Sequence, residues 1–257
     1  MRIESVPPEL GSPLGAAPLS AHSDVWHVRG SGADAVLKLA TPDGTASANP
    51  RYWAREVEAY ESGFAPTVYA AFGLTAPRAL RADRRPDGSV ALWLDYVRGR
   101  SGTTWDLPRW IDFARRLGAA QAAPRPDAPL WLFEPPSPVG PLAERAAELP
   151  YVPCHLDLRP VNLIAREEDF VLLDWSHVGY GLPGEDLTGL ILAHAAEPES
   201  ASELNAALPA EYARGAGRSE ADVRVAIAAT APARYGPGAD EATRRVLRMW
   251  TREAAAG

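Results

Sequence analysis

The 257-residue chain predicts an α+β protein of two lobes, a small β-rich lobe over 1–97 and a mainly helical lobe over 98–257. Three observations lead to that reading. The first hundred residues alternate short β-type runs with turn residues, the remainder carries apolar residues at helical spacing, and a glycine-containing junction at 97–101 separates them.

Residues 1–18 are rich in Pro and Gly and read as an extended lead-in. Short β-type runs follow at 24–28 and 33–40, separated by the turn Arg29-Gly30-Ser31-Gly32. Residues 41–50 read as a loop. Trp53, Val57 and Tyr60 recur at helical spacing with charges between them, which predicts a helix over 51–62 stopped by Gly63. Strands are expected at 67–72, 78–82 and 90–97, the last two joined through Pro86-Asp87-Gly88. Beyond Gly99 an amphipathic helix is predicted over 108–123, with Pro at its start. Residues 124–140 are proline-rich and irregular, 142–149 reads as helix, 162–174 as a hairpin, and 185–254 as mostly helical.

Composition removes several classes of function. Charged residues at 23% and apolar residues at 46% are ordinary for a globular chain, and the formal charge of -7 lacks the basic stripe of a nucleic-acid binder. A single cysteine, Cys154, cannot close an internal disulfide, no apolar run is long enough to span a bilayer, and the first residues lack a secretory h-region. A cytoplasmic protein with neither a nucleic-acid nor a membrane partner is the expectation. Among the 26 basic residues only Lys38 is lysine. It stands in the apolar run Ala35-Val36-Leu37-Lys38-Leu39, where an unpaired charge is costly, and Glu56 on the next helix is a partner for it.

The most informative segment is Cys154-His155-Leu156-Asp157-Leu158-Arg159-Pro160-Val161-Asn162, which fits H-x-D-x-x-x-x-N. A hairpin then delivers Asp174-Trp175 and brings Asp174 toward Asn162. Phosphoryl transfer uses such a set: one carboxylate orients the attacking hydroxyl and takes its proton, while a second carboxylate and an amide oxygen hold Mg²⁺ on the phosphates. Strand lysine, helix glutamate, catalytic loop, hairpin and aspartate occur in the order of kinase active-site parts.

On these residues the chain resembles the aminoglycoside phosphotransferase and choline kinase family, which has the protein-kinase-like fold. His155-Leu156-Asp157 through Asn162 is similar to that family's His-Gly-Asp-x4-Asn loop, Leu173-Asp174-Trp175 to its Ile-Asp-Trp, and Gly184-Glu185-Asp186-Leu187 to its downstream Asp-Leu. Arg55-Glu56 matches its helix glutamate. The resemblance runs over about residues 18–195. It implies Asp157 as catalytic base, Asn162 and Asp174 as Mg²⁺ ligands, and Lys38, paired with Glu56, on the α- and β-phosphates of ATP or GTP. It further implies a hinge at Asp95-Tyr96-Val97 that bonds the purine, and a loop Ser20-Ala21-His22-Ser23 over the phosphates. The function so implied is transfer of a phosphate from a nucleoside triphosphate to a hydroxyl of a small molecule, an antibiotic in the first instance; a kinase of a biosynthetic metabolite and a nucleotide-binding regulator without turnover are the alternatives. Three departures stand out: Leu156 replaces the usual Gly, Arg159 replaces a frequent His, and the phosphate loop is poor in glycine.

Other polar residues have plainer readings. His155 packs and hydrogen-bonds rather than reacts, and Cys154 is a small buried hydrophobe. His177 is either a substrate contact or an ordinary loop histidine. Glu197, Glu199 and Glu203 form an acidic group that a helix start explains as well as a substrate does.

Overall fold

Alternation of side chains along the central strand divides the β-rich part into a closed face and a cleft face. In the computed structural model, which describes residues 7–19, 24–123, 132–133, 137–138 and 140–256, the chain begins with β1 (Pro13–Pro18), β2 (Val25–Gly30) and β3 (Asp34–Ala40). Helix α1 (Arg55–Glu61) and the single turn α2 (Phe64–Thr67) come next. Then follow β4 (Leu74–Thr75), β5 (Ala79–Arg84) and β6 (Val90–Asp95). Five strands form one antiparallel sheet in the order β1-β2-β3-β6-β5. Ala35, Leu37, Ala91 and Trp93 bury one face with Leu10 and Val28, while Leu92 and Leu94 join the main core on the other. The intervening Lys38 pairs in register with Val25 on β2 and Leu92 on β6.

The helical part starts at β7 (Arg100–Ser101) and α3 (Leu107–Ala122), whose N-cap Asp106 accepts the Arg109 N–H at 3.3 Å. It continues through α4 (Ala143–Ala147), β8 (Val152–Cys154), β9 (Leu163–Ala165), β10 (Phe170–Leu172) and β11 (Gly179–Gly181). Helices α5 (Leu187–Leu192), α6 (Pro198–Ala216), α7 (Glu220–Tyr235) and α8 (Glu241–Ala256) complete it. The predicted hairpin is β9 against β10, and the sheet it belongs to runs β4-β10-β9-β7. A two-stranded ribbon of β8 and β11 flanks the loop over 155–162. No helix among the described residues is long and apolar enough to cross a membrane.

Two expectations are corrected. Residues 67–72, read as a strand, form the end of α2 and a 3-10 turn over Ala70–Phe72, and the strand itself is only Leu74–Thr75. The β-branched and aromatic residues there serve packing: Tyr69 is buried and its hydroxyl donates to the Pro153 carbonyl at 2.6 Å, so a tertiary anchor overrides local propensity. The lead-in also contributes more than an extended tail, because Pro13–Pro18 pairs with β2 as the edge strand, a place that tolerates proline.

Helices α3 and α6 cross through glycines. A Cβ on Gly215 would stand 1.9 Å from the Arg115 carbonyl oxygen, and one on Gly118 would stand 2.1 Å from that of Tyr212. Both obstacles are backbone, which cannot turn aside. Alanine favours a helix interior by about 1 kcal/mol over glycine, whereas overpacking a fitted contact costs about 1–3 kcal/mol. Gly215→Ala is therefore expected to lower unfolding stability in urea; an unchanged or raised midpoint would contradict this account of the crossing.

Candidate active site

Three elements converge on the Lys38 ammonium. β3 carries the lysine, α1 carries Glu56, and the turn after β10 carries Asp174. Lys38 Nζ donates to Glu56 Oε1 and Oε2 at 2.8 and 2.7 Å and to Asp174 Oδ1 at 3.3 Å. Burial alone would push the ammonium's pKa down, but the two carboxylates outweigh it and the net shift is upward. Burial likewise opposes ionisation of Asp174, yet Lys38 prevails and holds its carboxyl at about 2. Glu56 is nearly enclosed, and its Oε1 also accepts the Trp175 N–H at 3.2 Å. The glutamate thus fixes the lysine and the backbone beyond Asp174 together.

The H-x-D-x-x-x-x-N segment reaches the cleft of this triad through Asn162, while Asp157 is not among the residues that line it. Asn162 Nδ2 donates to the Asp157 carbonyl at 2.9 Å and to Asp157 Oδ2 at 3.0 Å, which leaves the amide oxygen as the Asn162 side-chain acceptor. Arg159 also reaches Asp157 Oδ2 at 3.2 Å. The Leu173 N–H donates to the Asn162 carbonyl at 2.8 Å, joining the loop to the strand end that precedes Asp174. Lys38, Glu56, Asp95, Tyr96, Val97, Asn162 and Asp174 all line one cleft of about 810 Å³, together with the apolar Val25, Val36, Leu94, Ile164 and Leu173. Ser23, with the rest of the loop expected over the phosphates, lies outside the described residues. Asp95 turns its carboxylate away into a bidentate pair with Arg78, so what it offers the cleft is backbone. The Asp95 and Tyr96 N–H groups bond the carbonyls of Arg78 and Asp34.

Residues 155 and 156 carry the loop's geometry. Buried His155 has its pKa held down at about 4 by burial, so it is neutral, and its Nε2 donates to the Leu173 carbonyl at 2.9 Å. That tautomer leaves Nδ1 to accept the Asp157 N–H at 3.4 Å. Leu156, standing where the family usually has glycine, adopts φ 61°, a left-handed conformation that costs a residue with a Cβ about 1–2 kcal/mol. Two things hold it there. Its side chain is buried in a cluster with Phe133, Val152 and Cys154, and its N–H donates to Asp186 Oδ1 at 2.7 Å. Asp174 also has positive φ, at 63°, a conformation aspartate adopts more readily than leucine.

Some functional residues escaped the sequence reading. Arg55, noted only beside Glu56, is fully buried; its guanidinium donates to the carbonyls of Ser47, Asn49, Pro50 and, at 3.3 Å, Ser176. It ties the loop before α1 to the turn after Asp174. Gln121 was also missed, although a glutamine on the apolar stripe of Trp110, Phe113, Ala114 and Leu117 was a signal available in the sequence. His177 bonds Ser176 Oγ through Nδ1 at 3.1 Å, and burial lowers its pKa against the pull of Asp157. Glu197, Glu199 and Glu203 are exposed around the first turns of α6, as a helix start explains.

Glu185, beside Asp186, supplies a pH test. Burial raises its pKa to about 7, with the Leu182 N–H and Arg234 pulling the other way. An acid whose folded pKa is raised favours folding below its unfolded pKa, and that contribution is lost as pH rises from about 4.5 to about 7. Glu185→Gln is expected to gain stability relative to wild type across that window, by up to about 3 kcal/mol. Urea unfolding at pH 4.5 and 7.5 measures the difference, and equal values at both would contradict it.

With the geometry in hand, the comparisons with known proteins are specific. The profile of the phosphotransferase enzyme family matches residues 105–225, which contain Asp157, Asn162 and Asp174. No curated protein matches the chain in sequence. Among solved structures, amicoumacin kinase hAmiN, in complex with AMP-PNP, Ca²⁺ and Ami, aligns with TM-score 0.60 at 11% identity over 96% of this chain and 90% of its own. A thermostable mutant of aminoglycoside phosphotransferase APH(4)-Ia, in ternary complex with ADP and hygromycin B, gives 0.56 at 14% identity over 97% and 96%. Choline kinase LicA from Streptococcus pneumoniae gives 0.55 at 15% identity over 96% and 95%. Residues 105–225 thus carry the sequence signature of the phosphotransferase enzyme family, on a protein-kinase-like fold that the chain shares with aminoglycoside phosphotransferases and choline kinases.

Proposed function

We propose that this protein is a small-molecule kinase that transfers the terminal phosphate of ATP to a hydroxyl of an antibiotic-like compound. The observation that carries the reading is the Lys38–Glu56–Asp174 triad facing a cleft whose other wall holds Asn162, with Asp157 bonded to that asparagine. In this reading residues 1–97 bind the nucleotide, and residues 98–257 supply the catalytic loop and the acceptor site. The purine lies between Val25, Val36, Leu94, Ile164 and Leu173, with the Val97 N–H as the hinge donor, since those of Asp95 and Tyr96 are engaged elsewhere. GTP fits the same cleft and is the competing donor.

The donor set suits Mg²⁺. Asp174 stays ionised with a pKa of about 2, and the Asn162 amide oxygen is turned toward service as an acceptor by the two bonds its nitrogen makes. Both are hard oxygen ligands, and substrate phosphates complete such a shell. Bound there, Mg²⁺ would neutralise charge on the phosphates. Lys38 would meet the same charge as a compact ammonium held by Glu56. Asp157 accepts the proton of the acceptor hydroxyl as its oxygen attacks the γ-phosphorus and the bond from that phosphorus to the bridging oxygen breaks to release ADP; Asn162 keeps the carboxylate oriented. Most of the acceleration in this scheme comes from positioning and fixed charge rather than covalent chemistry. The resemblance to an amicoumacin kinase and to an aminoglycoside phosphotransferase in complex with hygromycin B supports an antibiotic as acceptor.

Two substitutions test this reading. Asp157→Ala is expected to abolish phosphate transfer while nucleotide affinity stays close to that of wild type; wild-type rates in that variant would remove the base assignment. Lys38→Arg keeps the charge but places a wide planar fork where Val25 and Leu92 flank a point charge, so turnover should fall at least about tenfold. The assay is a mass-spectrometric screen of pooled antibiotics and hydroxylated metabolites for ATP-dependent gain of one phosphate. Nucleotide binding with no phosphorylated product across the panel would favour a regulator without turnover.

A further inference from the structure

Gln121 lies one residue from the end of α3, 1% exposed, on a stripe otherwise made of apolar side chains. A buried amide must have partners, and here they are specific. Its Nε2 donates to Asp186 Oδ2 at 2.8 Å, with the Tyr69 hydroxyl at 3.4 Å and Cys154 Sγ at 3.5 Å. Its Oε1 accepts the Tyr212 hydroxyl at 2.6 Å. This orientation is enforced chemically. A carboxylate accepts and cannot donate, so the NH₂ end must face Asp186. Burial keeps the Tyr212 hydroxyl protonated, with its pKa well above the usual value, so it has a proton to give the other end.

Asp186 in turn is the clamp of the catalytic loop. It is 3% exposed, and it accepts the His155 N–H on Oδ2 at 2.9 Å and the Leu156 N–H on Oδ1 at 2.7 Å. Leu156 is the residue held at φ 61° immediately before Asp157. A glycine would rest in that conformation without help, whereas a leucine reverts unless something holds its amide. The direction of the Asp157 side chain therefore depends on the Asp186 carboxylate, and the carboxylate's direction depends on its third donor.

We propose that Gln121 is a positioning residue for phosphoryl transfer, acting from α3 through Asp186 on the left-handed Leu156 and so on the aim of Asp157. Gln121 touches neither the cleft nor the reacting groups. The proposal rests on the assignment of Asp157 as base, and its test includes a readout that does not need turnover.

The experiment compares wild type, Gln121→Met and Leu156→Gly with the Gln121→Met/Leu156→Gly double variant. Amide hydrogen exchange over 154–162 is measured beside exchange along α3 and α6, together with ATP turnover. In Gln121→Met the loop amides should exchange at least about tenfold faster while those of α3 and α6 keep their rates. Turnover should fall about tenfold to a hundredfold with the KM for ATP unchanged. With Leu156→Gly in the background, where the left-handed conformation needs no clamp, the same Gln121→Met change should cost much less in both readouts. Faster exchange spread equally over α3, α6 and the loop, or equal losses in both backgrounds, would overturn the proposal in favour of plain core packing. Gln121→Glu provides a second arm that keeps the shape of the site. Protonated, this glutamate donates to Asp186 as the amide does; ionised, it sets two carboxylates against each other among Tyr69, Cys154 and Tyr212. Loop exchange in Gln121→Glu should therefore be near wild type in acid and rise with pH relative to wild type. A pH-independent difference would count against the proposal. A wild type that turns over no ATP would refute the kinase reading instead, and the exchange pattern would still decide the role of Gln121.

Discussion

One half-buried ammonium joins three parts of this molecule that lie far apart in the sequence. Lys38 comes from the middle of a sheet, Glu56 from the helix packed against that sheet, and Asp174 from a turn in the second half of the chain. Lys38 and Glu56 would be expensive to bury alone; the lysine is held by both carboxylates, and its charge offsets the repulsion between them. The arrangement is poor evidence for stability, since replacing buried ion pairs with apolar residues often leaves a protein as stable or more so. Its value lies in geometry. Only when the sheet, α1 and the turn after β10 hold this mutual arrangement does the lysine meet both carboxylates, and the three groups together then keep one negative charge. Arg55, next to Glu56, reinforces that arrangement from the other side of the helix by bonding the Ser176 carbonyl.

A second constraint works on the backbone. Among the described residues two with side chains, Leu156 and Asp174, adopt left-handed conformations; the first directly precedes Asp157 and the second is itself the proposed metal ligand. Strain of this kind persists only where the surroundings over-determine it. At Leu156 the surroundings are an apolar pocket and the Asp186 carboxylate. At Asp174 they are Lys38 and the bond from Trp175 to Glu56. The two are coupled through His155, which packs on Trp175 with ring centroids 5.0 Å apart and bonds the Leu173 carbonyl. A buried histidine thus links the position of the loop to that of the turn.

Much of this was legible in the sequence, for identifiable reasons. Lys38 stood out because a charge in the run Ala35–Leu39 needs a partner, and Glu56 was legible as that partner because α1 follows the strand at helical spacing. The spacing of Asp157, Asn162 and Asp174 is local, so the hairpin that closes it could be read directly. What was not legible depended on contacts distant in the chain. Residues 67–72 look like a strand until Tyr69 finds Pro153, 84 positions away. Leu156 in place of glycine signalled a departure, but the fact that it keeps the glycine's conformation, and what holds it there, required Asp186 and Gln121 in space. The buried role of Arg55 was hidden because an arginine on a half-polar helix reads as solvated.

The central claim is that the triad and Asn162 together form the phosphate and metal end of a nucleotide site. Calorimetric titration of ATP into wild type and Asp174→Asn, with and without Mg²⁺, tests it most directly. Mg²⁺ should tighten ATP binding to the wild type, and the asparagine variant should lose most of that gain while keeping its metal-free affinity. An ATP affinity indifferent to Mg²⁺ in the wild type, or an undiminished Mg²⁺ effect in Asp174→Asn, would contradict the account.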